Sequence, residues 1–110
     1  MSKQKHYDVI WTETAKRDFI EIIEYIAADN LTSARKTANR IKRKAVNLET
    51  FPAGGRWVPE LLHVGVFIYR EIIEKPWRII YRIEKNIVYV TAVLDSRRDL
   101  ETILLERLLR

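Results

Sequence analysis

The chain contains no cysteine. That excludes a disulfide framework and any cysteine-based zinc site. Glycine and proline number three each, and no Gly- or Ser-rich stretch interrupts the chain, so nothing reads as an interdomain linker. Every apolar run falls short of the roughly 18 residues that cross a bilayer. The opening MSKQKHYDV lacks the apolar centre of a secretion signal. The expected setting is the cytoplasm, with no membrane contact. There is no internal repeat, Gly-rich phosphate loop, paired-carboxylate motif or nucleophile elbow. His6 and His63 have no partners at metal-ligand spacing, so no metal or cofactor is expected.

What is present suits one domain spanning 1–110. Of 110 residues, 47% are hydrophobic and 32% charged, the balance of a folded chain rather than a disordered one. The formal charge is +5. This excess favours anionic partners such as nucleic acid, an acidic protein or membrane headgroups.

Side-chain periodicity divides the chain. HYDVIW, from His6 to Trp11, reads as a short strand. Thr12 then stands as an N-cap with Glu13 in the first turn. Ala15, Phe19, Ile22, Ile23 and Ile26 define one face of a helix to about Ala28. Asp29-Asn30 breaks it, and Thr32 is expected to cap a second helix whose seam is Ala34, Ala38, Ile41, Ala45 and Leu48. The short joint implies an antiparallel helical hairpin. Phe51-Pro52 ends it, and AGGR, residues 53–56, is expected to be the most flexible point.

Beyond Pro59 the period changes to that of strands, expected at 64–73, 77–84 and 87–94 with short links, an antiparallel meander. The middle strand places Trp77, Ile79, Tyr81 and Ile83 on one face and Arg78, Ile80 and Arg82 on the other. The last strand is apolar on both faces, as a central strand would be. Ser96 followed by Asp99 resembles a capping box opening a C-terminal helix. The fold class is therefore α+β, in the order β-α-α-β-β-β-α. The helical hairpin packs on a small, mostly antiparallel sheet, and a C-terminal helix follows.

The residues resemble a family. T-x-x-A-K-R-D-F-x-x-I-x-x-Y-I-A from Thr12 to Ala27, the spaced alanines, L-x-x-F-P-x-G from Leu48 to Gly54 and the strand element W-R-I-I-Y are similar to the RelE/ParE toxin superfamily. The resemblance covers almost the whole chain. It implies the toxin of a bacterial type II toxin–antitoxin pair, associated with plasmid stabilisation and growth inhibition. Such a toxin is held inactive by an acidic antitoxin, as a homodimer or as a heterotetramer with it.

Two branches follow from the family. RelE-type members are mRNA interferases acting at the ribosome without metal; ParE-type members poison DNA gyrase. Under the first, Arg78, Arg70 and Tyr69 are the catalytic candidates, Arg78 matching a phosphate-binding sheet arginine. The strand positions where RelE-type enzymes carry lysines hold Tyr69 and Glu71, and no tyrosine follows Tyr89. Cleavage needs proton donors and acceptors besides cations, and arginine titrates too high to shuttle protons. The helical hairpin and the ending R-R-D-L-x-x-x-L-x-x-R-L look closer to the ParE branch. A degenerate member that only binds antitoxin is the third reading.

Target binding is expected at Arg97, Arg98, Arg78, Arg82 and Arg56, with the sheet arginines at 70, 78 and 82 sharing one face. Leucines at 100, 104, 105, 108 and 109 occupy more of the tail helix than one buried stripe requires. Leu104, Leu105, Leu108 and Leu109 are therefore expected at the antitoxin interface. Arg35 and Arg40 join them from a run of six basic residues on the second helix.

Overall fold

The computed structural model describes residues 6–108. Strand β1 (Asp8–Trp11) leads into helix α1 (Glu13–Ala27), which Thr12 caps by accepting the Ala15 N–H at 3.2 Å. Helix α2 (Leu31–Val46) returns antiparallel to it. Its cap is Asn30, whose Oδ1 accepts the Ser33 N–H at 2.9 Å. The cap thus falls two residues before the expected Thr32: Asn30 has the extended backbone that capping needs, at φ −153°.

A two-residue strand β2 (Arg56–Trp57) and a one-turn helix α3 (Pro59–Leu62) follow, neither of them expected. Pro59 at the first helical position was their readable signal. The meander is β3 (Tyr69–Glu74), β4 (Trp77–Glu84) and β5 (Ile87–Asp95). Its first strand begins at Tyr69 rather than Val64. The intervening residues instead close α3, with the N–H groups of Val64 and Val66 donated to Leu61 O and that of Gly65 to Leu62 O. Gly65 sits at φ 83° there, the left-handed helix terminator. Lys85-Asn86 links β4 to β5 as a two-residue hairpin, with Lys85 at φ 57°.

The tail helix α4 (Leu100–Leu108) starts later than the Ser96 box implied. Its cap is Asp99, whose Oδ1 accepts the Thr102 N–H at 3.2 Å. Arg97 and Arg98 therefore lie in the turn before the helix, not in its first turn.

The sheet has five strands in the order β1-β5-β4-β3-β2. β1 runs parallel to β5, and the other three pairings are antiparallel. A bulge at Thr91 shifts the β4–β5 register between Ile80 and Tyr81, so Val90 and Val93 share a face although three residues apart.

Each face carries its own core. The hairpin layer places Ala15, Ile41 and Leu48 against Ile79, Tyr81, Val88, Val90 and Val93. On the opposite face, Val58 and Leu61 with Leu100 and Leu104 of α4 cover Ile80, Ala92 and Leu94. β5 is apolar on both faces because both are covered. One ionic clasp joins the layers. Asp18 of α1, only 8% exposed, accepts the Val93 N–H at 3.1 Å and both Nη atoms of Arg107 at 2.9 and 2.8 Å.

The AGGR stretch is pinned rather than mobile. Tyr81 Oη accepts the Gly55 N–H at 3.1 Å and donates to Pro52 O. Burial pushes this phenol above its ordinary pKa, which keeps the donating proton in place.

Candidate functional site

The three sheet arginines do not share a face. Arg70 lies on the hairpin side, donating Nη1 to Gly55 O at 2.9 Å and stacking its guanidinium 4.0 Å over Trp57. Arg82 is on the opposite face, 4.3 Å over the Tyr89 ring and paired with Glu84. Tyr69 packs half-buried against the α4-side core.

Arg78 is engaged on all sides. Its Nη1 and Nη2 donate to the two Glu60 oxygens at 2.7 and 2.6 Å, and its Nε to Glu71 Oε1 at 2.6 Å. Glu71 in turn accepts Arg56 Nε at 2.6 Å. The side chain of Glu71 is fully buried and that of Arg78 is 7% exposed. Two carboxylates of the same chain thus fill the guanidinium of Arg78, the residue expected as a target-binding or phosphate-binding group. The sequence reason is the Pro59-Glu60 turn, which lays a carboxylate over β4. Arg56 keeps an exposed side chain, although its Nε is held by Glu71.

Glu60 gives this network a pH dependence. The Arg78 guanidinium holds its carboxyl below the usual glutamate range. Its contribution to stability is therefore complete above the unfolded value of about 4.3 and is lost as pH falls through the lower folded value. Melting temperatures of the wild-type chain and Glu60→Gln are expected to differ most near neutrality and to converge on acidification below about pH 4. A gap that stays constant with pH would remove Glu60 from the network.

At the β5–α4 corner Arg97 is 75% exposed, and its Nε and backbone N–H both donate to Asp95 Oδ1 at 2.9 Å. Arg98 beside it is exposed and has no ion-pair partner among the described residues. Both line a cleft of about 470 Å³ with Ile22, Ile26, Tyr25 and Trp77. Tyr25 is 84% exposed. Sequence reading missed Tyr25 and Trp77, because only the packing of α1 on β5, whose last residue pairs with Trp77, brings them to Arg97.

The tail leucines divide. Leu104, expected at an antitoxin interface, is 5% exposed and with Leu100 belongs to the α4-side core. Leu105 is half-buried, Leu108 closes α4, and Leu109 lies outside the described residues. Arg35 and Arg40 are exposed on α2.

A mostly apolar surface lies elsewhere. A groove of about 660 Å³ runs between β1 and the hairpin, lined by Val9, Ile10, Phe19, Ile20 and Val46, with Lys16 and Lys42 also along it. Among the described residues β1 has a strand neighbour on one side only, so beyond Tyr7, whose N–H donates to Glu49 O, its outer edge presents backbone groups along the groove.

The family model described as "ParE toxin of type II toxin-antitoxin system, parDE" matches residues 9–100. The chain belongs to this family. Solved structures that share its fold include two toxin–antitoxin assemblies. One is described as the chromosomal ParDE toxin–antitoxin system from P. aeruginosa, with a TM-score of 0.67 and 18% identity over 83% of this chain and 97% of that one. The other is the toxin–antitoxin complex RelBE2 from Mycobacterium tuberculosis, with a TM-score of 0.55 and 21% identity over 86% and 97%. No curated protein matches the chain in sequence. This ParE-family toxin carries no helix long and apolar enough to cross a membrane among its described residues.

Proposed function

We propose that this ParE-family toxin inhibits growth by binding DNA gyrase, without chemistry of its own, and that an acidic antitoxin neutralises it. The observation that carries the reading is the state of Arg78. RNA cleavage requires cations free to stabilise a phosphorane and groups free to move protons. Here Glu60 and Glu71 occupy the sheet arginine, and Arg70 faces the other side of the sheet.

Binding, by contrast, needs an exposed surface with an aromatic and charged centre. The corner of Arg97, Arg98, Tyr25 and Trp77 supplies one, and we assign the target contact to it. The antitoxin suits the groove along β1, where apolar walls and flanking lysines match an acidic amphipathic segment that adds backbone pairing at a free edge.

Purified toxin is expected to block supercoiling by gyrase and to leave mRNA intact in a translating extract. Cleavage in that extract would instead establish the RelE-type activity. Inactivity in both assays, with antitoxin still bound, would reduce the chain to an antitoxin-binding relic. The double variant Arg97→Ala/Arg98→Ala is expected to lose gyrase inhibition and toxicity while its melting temperature stays within about 2 °C of wild type. A larger fall in melting temperature would make the pair structural.

A further inference from the structure

Helix α2 carries six basic residues and no acid. All six, Arg35, Lys36, Arg40, Lys42, Arg43 and Lys44, are exposed. Two have neighbours: Arg40 lies 3.7 Å from Glu74, and Lys42 sits 5.7 Å over the Phe19 ring. The side chains of Arg35, Lys36, Arg43 and Lys44 have no ion pair or hydrogen bond among the described residues.

Helical geometry arranges these charges. At about 3.6 residues per turn, buried Ala34, Thr37, Ile41 and Ala45 form one stripe against α1 and the sheet. The basic side chains fill the remaining arc, with Lys36 and Arg43 at its centre. A run of cations on one rigid element, unopposed by carboxylates of its own helix, costs self-repulsion that a counter-charge would relieve.

The chemistry of the arc selects the class of partner. Its centre, where Thr32 and Asn39 lie beside Lys36 and Arg43, holds no aromatic or large apolar side chain; Val46, 54% exposed, lies to the side that faces the β1 groove. A protein interface is anchored by buried aromatic or apolar groups, which this arc lacks and the β1 groove has. Single-stranded nucleic acid is held by stacking of bases on aromatic rings, and α2 has none. A double-stranded phosphate backbone needs neither, only a row of long cations that remain hydrated and mobile.

We propose that the outer arc of α2 is a sequence-independent contact surface for duplex nucleic acid, read through its phosphates. It is a second surface, separate from the corner at Arg97 and independent of whether gyrase is the target.

The test uses the purified full chain and a fluorescent DNA duplex of mixed sequence, titrated between about 50 and 200 mM salt. With four unpartnered cations engaged, the logarithm of affinity is expected to fall against that of salt with a slope near −3.6, about 0.9 per phosphate neutralised. The fourfold variant Arg35→Gln/Lys36→Gln/Arg43→Gln/Lys44→Gln is expected to bind at least about tenfold more weakly at the lower salt, with a slope clearly shallower than that of wild type, since only Arg40 and Lys42 of the arc remain. All four side chains are exposed, so its melting temperature is expected to stay close to wild type, which confirms that a loss of binding is not a loss of fold.

Oligothymidine of equal charge is expected to bind no more tightly than the duplex. The proposal is overturned if wild type fails to bind duplex at low salt, or if the variant binds with unchanged affinity and slope. It is equally overturned if polyglutamate of equal charge binds more tightly than the duplex, which would mark the arc as a seat for an acidic protein.

Discussion

Replacing Arg78 with alanine is expected to lower the free energy of unfolding by about 3–5 kcal/mol. The physical reason is the charge left behind. Glu71 is fully buried and would keep only Arg56, whose side chain is 60% exposed. A buried carboxylate short of its main partner retains the desolvation cost and loses most of the attraction that offset it. Against a total stability of about 5–15 kcal/mol for a domain of this size, the loss should be visible in denaturant titrations as a lower midpoint at unchanged slope.

The companion experiment removes both buried charges. Arg78→Met combined with Glu71→Leu is expected to recover most of the loss, because Glu60 and Arg56 are exposed enough to rehydrate. If the double variant is as unstable as Arg78→Ala, the uncompensated buried charge is not the source of the cost. The single variant is consequently a poor test of catalysis, since it would remove activity by unfolding.

The second large effect is steric. A methyl group at Gly55 would stand 2.1 Å from Tyr81 Oη and 2.8 Å from Glu71 O. The Glu71 contact is sheet backbone and cannot swing aside. Gly55→Ala is therefore expected to push the 53–56 segment off β3, break the Gly55 N–H to Tyr81 bond and cost roughly 2–5 kcal/mol, the sum of an overpacking and an unsatisfied-group penalty. Gly55 has φ −74°, so the requirement is for space and not for a left-handed backbone.

Tyr81→Phe separates the two contributions. It removes the hydroxyl, leaves the Gly55 N–H and Pro52 carbonyl without their partner, and should cost about 1–3 kcal/mol by itself. If Gly55→Ala melts within about 2 °C of wild type, the segment is looser than the Tyr81 clamp implies.

Much of the architecture was legible in residue order alone. The α1 face, its Thr12 cap, the hairpin and the three strands of the meander follow from periodicity and turn chemistry, both of which are local. The double apolarity of β5 correctly marked it as central. The tail was legible as a helix too, although Asp99 rather than Ser96 caps it: which residue becomes the cap is decided by backbone torsion, which composition does not reveal.

Three matters required the folded chain. The parallel seat of β1 beside β5 depends on contact between residues almost eighty positions apart, which leaves no trace in spacing. The fate of the arginines was hidden for the same reason: alternation put Arg78 on a face, but only the α3 turn, a single helical turn too short for periodicity, brought Glu60 onto it. And of the tail leucines, counted as surplus, Leu100 and Leu104 became buried once α4 lay across a second core that strand patterning alone did not disclose. Local periodicity records which way a side chain points; whether it meets solvent, a carboxylate or another layer is a property of distant segments folding onto it.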